Sequence, residues 1–260
     1  MKENLEWKAL AGGKERLLEL LIHDLRGPLS VVSTSAASLL QNKKRYGSLT
    51  EKQRNVIARL SRNVKRAQSL LQEMLEVSKS EEGLFAKEPF LVETAFRESI
   101  LDVLEVTAPK VVEKIFQVEN HGEFRQALKA RRIFVMIGGR YASSPFCHDR
   151  KKVQQIFRNL LSNALKHRRK RVDVSISGET DLFISVDDDG VGIPVVEQDN
   201  IFGRFVRLNN KNNGTPSLGL GLAGVKALVG AMGGKITLVS REEIGTRFTV
   251  QIPSLDPSIP

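Results

Sequence analysis

The chain holds a single cysteine, Cys147, among 260 residues. A lone thiol leaves no partner for an intrachain disulfide and no second sulfur for a thiolate zinc cluster, so a reducing compartment is expected. No apolar run approaches the roughly 20 residues that cross a bilayer. The opening MKENLEWKALAGGKERLLEL is mixed in charge and lacks the basic-then-apolar order of a secretory signal, so a soluble, cytoplasmic protein is expected. Two nucleotide signatures are also missing. No glycine-rich stretch ends in Gly-Lys-Ser/Thr, and neither His-Arg-Asp nor Asp-Phe-Gly occurs, which excludes a P-loop and an ordinary protein-kinase fold.

Aromatic residues make up only 6% of the chain, and this bears on its charge. Forty basic against thirty acidic residues give +10, a balance that suits nucleic acid, an anionic membrane surface or an acidic protein. The densest run, KHRRKR over 166–171, has no interleaved aromatic on which a base could stack. It reads as a solvated basic edge, and no nucleic-acid partner is expected.

Two long amphipathic helices are predicted between residues 14 and 82. The first carries Leu18, Ile22, Leu25, Leu29, Val32, Ala36 and Leu39 at alternating spacings of three and four. The second carries Ile57, Leu60, Val64, Ala67, Leu71 and Met74, after the polar connection QNKKRYGSLT. Ser48 with Glu51, or Thr50 with Gln53, offers a capping box for the second helix. A two-helix hairpin covers only part of its seam, so a homodimer closing a four-helix bundle is expected. Residues 1–13 then form an N-terminal linker or signalling segment. Beyond EEGLFAKEP the pattern changes to mixed helix and strand. Helices are predicted over 92–105, 149–167 and 219–232, the last stopped by Gly233-Gly234, with strands at VDVSIS, LFISV, KITLVS and TRFTVQI. This gives an α/β unit over 88–253 whose sheet is covered on one face, followed by a tail at 254–260. Within 121–145, EFRQALKARR reads as helix and IFVMI as a short strand, without a functional reading.

In LLIHDLRGPLSVV, His23 sits beside the heptad position Ile22 and should project at the bundle surface. A neighbouring carboxylate such as Asp24 can hold one ring N–H and favour the charge that develops as the other nitrogen attacks. Pro28 lacks an N–H and crowds the carbonyl of Asp24, so a bend is expected there. On its own the pair reads more readily as ordinary helix surface, with Pro28 a structural kink.

HDLRGPL resembles the phosphoacceptor motif of sensor histidine kinases, and four later segments resemble that family's ATP-binding boxes in order, covering most of residues 14–253. The resemblance implies an α+β chain: a hairpin forming a dimeric four-helix bundle, then an α/β sandwich of the GHKL ATPase type. In QQIFRNLLSNALKH, Gln155, Asn159, Asn163 and Lys166 line one helix face. Amide oxygens can ligate Mg2+ and the lysine can neutralise polyphosphate; the family's roles fall on Asn159, Asn163 and Lys166, with Asn159 the metal ligand. In VDDDGVGIP, Asp188, Gly190 and Gly192 match the adenine-reading loop; chelation of a cation by Asp187, Asp188 and Asp189 is the alternative. IFGRFVRL resembles the phenylalanine box, with Phe202 and Phe205 as lid anchors or plain core, and Arg204 or Arg207 available to phosphate. SLGLGLAGV resembles the second glycine box, where Gly219 and Gly221 would present N–H groups to phosphates; Ser217 stands where the family has glycine. Gly245 and Thr246 would border the nucleotide.

The resemblance thus implies ATP-dependent autophosphorylation of His23 and transfer to a response-regulator aspartate, with ATP and Mg2+ as cofactors and an upstream sensor as a further partner. Gly27 occupies the position four after the histidine where the family's phosphatases carry Thr or Asn, so weak phosphatase activity is expected. The competing expectation is a non-catalytic phosphotransfer or scaffold protein with a relic nucleotide domain.

Overall fold

The computed structural model describes residues 2–79, 85–107, 120–203 and 221–256. They divide into two compact units, 1–79 and 80–260. In the first, α1 (Lys2–Gln41) and α3 (Glu51–Lys79) pack side by side as a hairpin. A single helix spans both sides of Pro28, and it reaches back to Lys2. The polar connection is not all loop, because Lys43–Tyr46 forms a short helix, α2, closed by Gly47 at φ 77°. Of the two possible capping boxes, Thr50 with Gln53 forms. The Gln53 side chain accepts from the Thr50 N–H at 2.9 Å, and the Thr50 hydroxyl accepts from the Gln53 N–H at 3.3 Å. Across the hairpin, the Gln68 amide donates to the Ser30 hydroxyl at 3.4 Å.

The seam of the hairpin is unevenly covered. Ile22, Ala36 and Val64 are buried, whereas Leu21, Leu25, Val32, Val56 and Leu60 remain exposed. Of the predicted stripe, Ile22, Ala36 and Val64 are covered within the hairpin, and Leu25, Val32 and Leu60 are not.

The second unit is a five-stranded sheet with helices on one face. Its strands are β2 (Ile133–Ile137), β4 (Val172–Ser177), β5 (Leu182–Asp188), β6 (Lys235–Arg241) and β7 (Gly245–Ile252), in the order β2-β4-β5-β7-β6. Only the β2–β4 pair is parallel. Alternation sorts the faces. Leu182, Ile184 and Val186 point into the core with Val172, Val174, Ile176, Phe248, Val250 and Ile252. The opposite face is polar: Asp173, Asp187 and Arg247 sit in register, and the like-charged Asp173 and Asp187 are relieved by Arg171 and Arg247 respectively.

Against the apolar face lie α4 (Val92–Thr107), α6 (Arg150–His167) and α8 (Gly221–Ala231), while α5 (His121–Lys129) packs on β2. The central helix α6 contributes Val153, Ile156, Phe157, Leu160, Leu161 and Ala164 to the core. Its N-cap, Asp149, accepts from the Lys152 N–H with one oxygen and from the Ala86 N–H with the other, both at 3.1 Å. α8 stops at Gly233, φ 72°, with the Gly234 N–H returning to the Val229 carbonyl at 2.9 Å. A separate antiparallel pair, β1 (Glu88–Phe90) with β3 (Phe146–His148), was not expected. Strands of three residues have no period to detect. The helix α7 (Val195–Gln198) follows β5. No helix among the described residues is long and apolar enough to cross a membrane.

Candidate functional site

The inward row of β5 ends in a carboxylate. Asp188 continues the line Leu182, Ile184, Val186 and is 7% exposed, so an ionisable group occupies the rim of an apolar face. Burial pushes its carboxyl up to about 6, against the pull of the Gly190 N–H that donates to Oδ1 at 2.9 Å. Oδ2 accepts from no protein donor among the described residues, which leaves acceptor capacity on it. On β7, Thr246 lies opposite Asp188 in the ladder and is 6% exposed, so a hydroxyl sits beside the carboxylate.

Backbone packs closely around the loop that follows Asp188, and glycine is what allows it. A Cβ on Gly190 would overlap the His167 carbonyl oxygen, bringing the end of α6 against the loop after β5. Gly192, φ 72°, has the Arg241 carbonyl against it in the same way.

The four residues of the predicted stripe lie on α6. Gln155, Asn159, Asn163 and Lys166 are all partly buried beside the fully buried apolar row. The Asn159 amide oxygen lies 3.7 Å from where a Cβ on Gly221 would stand, so it faces the N-terminal start of α8. An amide oxygen and the first described turn of α8 are thus brought together. Phe202 is partly buried, edge-on to Phe248 at 6.2 Å, with the Lys226 ammonium 5.3 Å from its ring centre. It packs against the core.

The three consecutive aspartates do not converge. Asp187 pairs with Arg247 at 2.5 Å on the polar face, Asp188 points inward, and Asp189 accepts the N–H groups of Arg169, Lys170 and Arg171 at 2.9–3.0 Å. Those three donors outweigh the effect of burial and hold the Asp189 carboxyl below the usual range. No His/Cys/Asp/Glu group able to hold a metal occurs among the described residues. The alternative of a three-aspartate cation site is therefore withdrawn, for alternation and turn geometry aim the side chains apart. The basic run is also largely engaged in structure. Arg168 donates to the Arg131 carbonyl at 3.1 Å, Arg169 pairs with Glu243, and Arg171 pairs with Asp173 while lying over the Phe134 ring at 4.4 Å.

Arg204, Phe205, Arg207, Ser217 and Gly219 lie outside the described residues. His23 falls in α1, but its side chain is likewise outside the description; Asp24 next to it is exposed. Gly27 is exposed, and nothing lies within 4 Å of the position its Cβ would take, so no steric demand keeps that residue small. Two residues went unnoticed in the sequence: Ser240 and Gln198, which lace the loop after β5 to β6. A lone serine on a strand and a lone glutamine after a turn carry no signal by themselves.

Residues 14–83 match the family model of the His Kinase A (phospho-acceptor) domain, and residues 148–256 match that of the histidine kinase-, DNA gyrase B-, and HSP90-like ATPase. Among similar proteins, the adaptive-response sensory-kinase SasA of Prochlorococcus marinus is 28% identical over 92% of this chain and 58% of its own length. The circadian input-output histidine kinase CikA of Thermosynechococcus vestitus is 30% identical over 95% of this chain and 32% of its own. The sensor histidine kinase WalK of Bacillus subtilis is 30% identical over 89% and 35%. The chain thus spans little more than half the length of SasA and about a third of the other two. In fold it resembles full-length ShkA solved with AMPPNP, at TM-score 0.64 and 22% identity over 92% of this chain and 46% of that one. Acinetobacter baumannii histidine kinase AdeS gives TM-score 0.52 and 21% identity over 90% and 98%.

Proposed function

The chain belongs to the sensor histidine kinases, and on that premise we propose that it binds ATP in the C-terminal unit, phosphorylates its own His23 and passes the phosphoryl group to an aspartate of a response regulator. The observation that carries this reading is the buried Asp188, with one oxygen fixed by Gly190 and the other open, beside Thr246 and the glycine-lined backbone. An acceptor-only group in a dry recess suits the exocyclic amine of adenine. From there α6 leads to Asn159 and the start of α8, where the polyphosphate would lie against Gly221, with Lys166 neutralising charge.

The donor set also fits Mg2+. A hard cation that keeps most of its waters needs few protein oxygens, and the Asn159 amide oxygen at the α8 start is such a ligand. When bound, the ion would neutralise charge on the transferring phosphates. The chain's own groups do the rest. Asp188 and Thr246 orient the base, the α8 start and Lys166 hold the phosphates, and Asp24 steadies the His23 imidazole so that its free nitrogen can attack.

The exposed seam residues Leu21, Leu25, Val32, Val56 and Leu60 support a homodimer in which two hairpins close a four-helix bundle. We place the reaction in the cytoplasm, with the stimulus arriving from a sensor. The test is incubation with γ-labelled ATP and Mg2+. Wild type should acquire acid-labile label, His23→Gln should acquire none, and Asn159→Ala should lose about a hundredfold in rate, in line with removal of an electrostatic stabiliser. Label that survives in His23→Gln would refute the acceptor assignment, and no nucleotide binding at all would favour a scaffold.

A further inference from the structure

Ser240 is the junction of three segments around the proposed base pocket. Its hydroxyl accepts from the Ile193 N–H at 2.9 Å, and it lies 2.9 Å from both the Gly245 carbonyl oxygen and the Thr246 hydroxyl. Around it the loop after β5 is tied down twice more. The Gln198 amide donates to the Ile193 and Ser240 carbonyls at 2.8 and 3.2 Å, and the Glu243 N–H donates to the Val191 carbonyl at 2.7 Å.

Proton counting then fixes the direction of each bond. A carbonyl can only accept, so the one proton of Ser240 goes to Gly245. The Ile193 N–H can only donate. The Thr246 hydroxyl must therefore be the donor in its bond with Ser240. Its proton is committed away from any ligand, and what remains on its oxygen is acceptor capacity.

We propose that Ser240 is a specificity-determining positioning residue: by taking the Thr246 proton it makes the pocket rim, Asp188 plus Thr246, present acceptors and no donor to the base. Such a rim welcomes the amine of adenine and disfavours the carbonyl that hypoxanthine carries at the same position. The inference rests on the ATP reading of this site. It goes further in assigning base discrimination to a residue that touches no nucleotide.

The test measures dissociation constants of ATP and ITP by titration calorimetry on the full chain, for wild type, Ser240→Ala, Ser240→Thr, Thr246→Val and the Ser240→Ala/Thr246→Val double variant. Loss of one hydrogen bond's directionality should lower the ATP-over-ITP preference of Ser240→Ala roughly three- to tenfold, as Thr246 becomes free to donate. Ser240→Thr should keep the wild-type ratio. Once Thr246 is valine, removing Ser240 should change the ratio no further, the non-additivity expected of residues acting through one bond. A purely structural Ser240 would weaken both nucleotides alike and leave the ratio unmoved, and that result overturns the proposal. Should Ser240→Ala fail to fold, a Thr246→Val variant with the wild-type ratio overturns it equally. Wild type that binds neither nucleotide would instead refute the ATP reading itself.

Discussion

In the hairpin, Leu25 and Leu60 stand 49% and 51% exposed, and Ile22, Ala36 and Val64 are its buried apolar side chains among the described residues. In the C-terminal unit, Phe96, Phe157, Leu160 and Leu161 are all but removed from water, and one contiguous core joins sheet and helices. The α/β unit closes its own interior; the hairpin leaves part of its apolar stripe exposed. Heptad rhythm and strand alternation are both amphipathic codes, yet only the second is satisfied within one chain here. The difference separates a unit that needs nothing further to cover its core from a hairpin with apolar area left to bury.

The strongest test of that contrast strikes the closed core. Phe157 packs against Phe96 with ring centres 4.3 Å apart and cannot be replaced without a cavity. Phe157→Ala should cost about 3–5 kcal/mol of unfolding free energy in the C-terminal unit. That cost should be the same at every protein concentration in denaturant titrations. The hairpin should behave otherwise. Leu25→Glu or Leu60→Glu should leave the unfolding of the α/β unit unchanged but weaken association by about 1.5–3 kcal/mol for each leucine withdrawn from the interface. Sedimentation equilibrium reads this as a shift toward monomer. A monomeric wild type would break the comparison outright.

The smallest effect concerns acid. Burial pushes the Asp188 carboxyl up to about 6, so its contribution to folding is least at neutral pH and grows as pH falls through 6 toward the ordinary carboxylate range. His148 is wholly buried between Phe85 and Phe146, its Nε2 without a partner among the described residues. Burial pushes this imidazole down to about 4, against the pull of Asp149, so its contribution is full above 6.5 and is lost as pH falls toward 4. The two groups oppose each other over one window. Thermal melts between pH 7.5 and 4.5 should show steeper acid loss in Asp188→Asn than in wild type, and shallower loss in His148→Phe. Parallel profiles for the three proteins would show that neither environment is as drawn.

Much of this architecture was legible because it repeats. The stripe on α3, the face of α6 and the alternating runs of β4, β5, β6 and β7 each carry enough residues for a period to emerge. The pairing of β1 with β3 was not legible, since three residues have no period and their partners lie far apart in sequence. Nor was the parallel seat of β2 beside β4, which depends on the helix between them. At the candidate site, the stripe from Gln155 to Lys166 could be picked out by spacing, and the glycines at 190 and 192 by their resemblance to the family's loop. The divergence of Asp187, Asp188 and Asp189 could not, because a run of identical residues hides which one the strand turns inward. Ser240 shows only in three dimensions, its meaning lying wholly in the company it keeps.

One residue at the edge of all this has a mechanical consequence. Asp149 grips the foot of α6 with one carboxylate oxygen and the incoming backbone at Ala86 with the other. The entry of the chain at Ala86 and the first turn of the helix that carries Asn159 are therefore fastened to the same carboxylate. Asp149 thus shares with the β1–β3 pair and the Phe85–His148 ring contact the task of fixing where that rod begins.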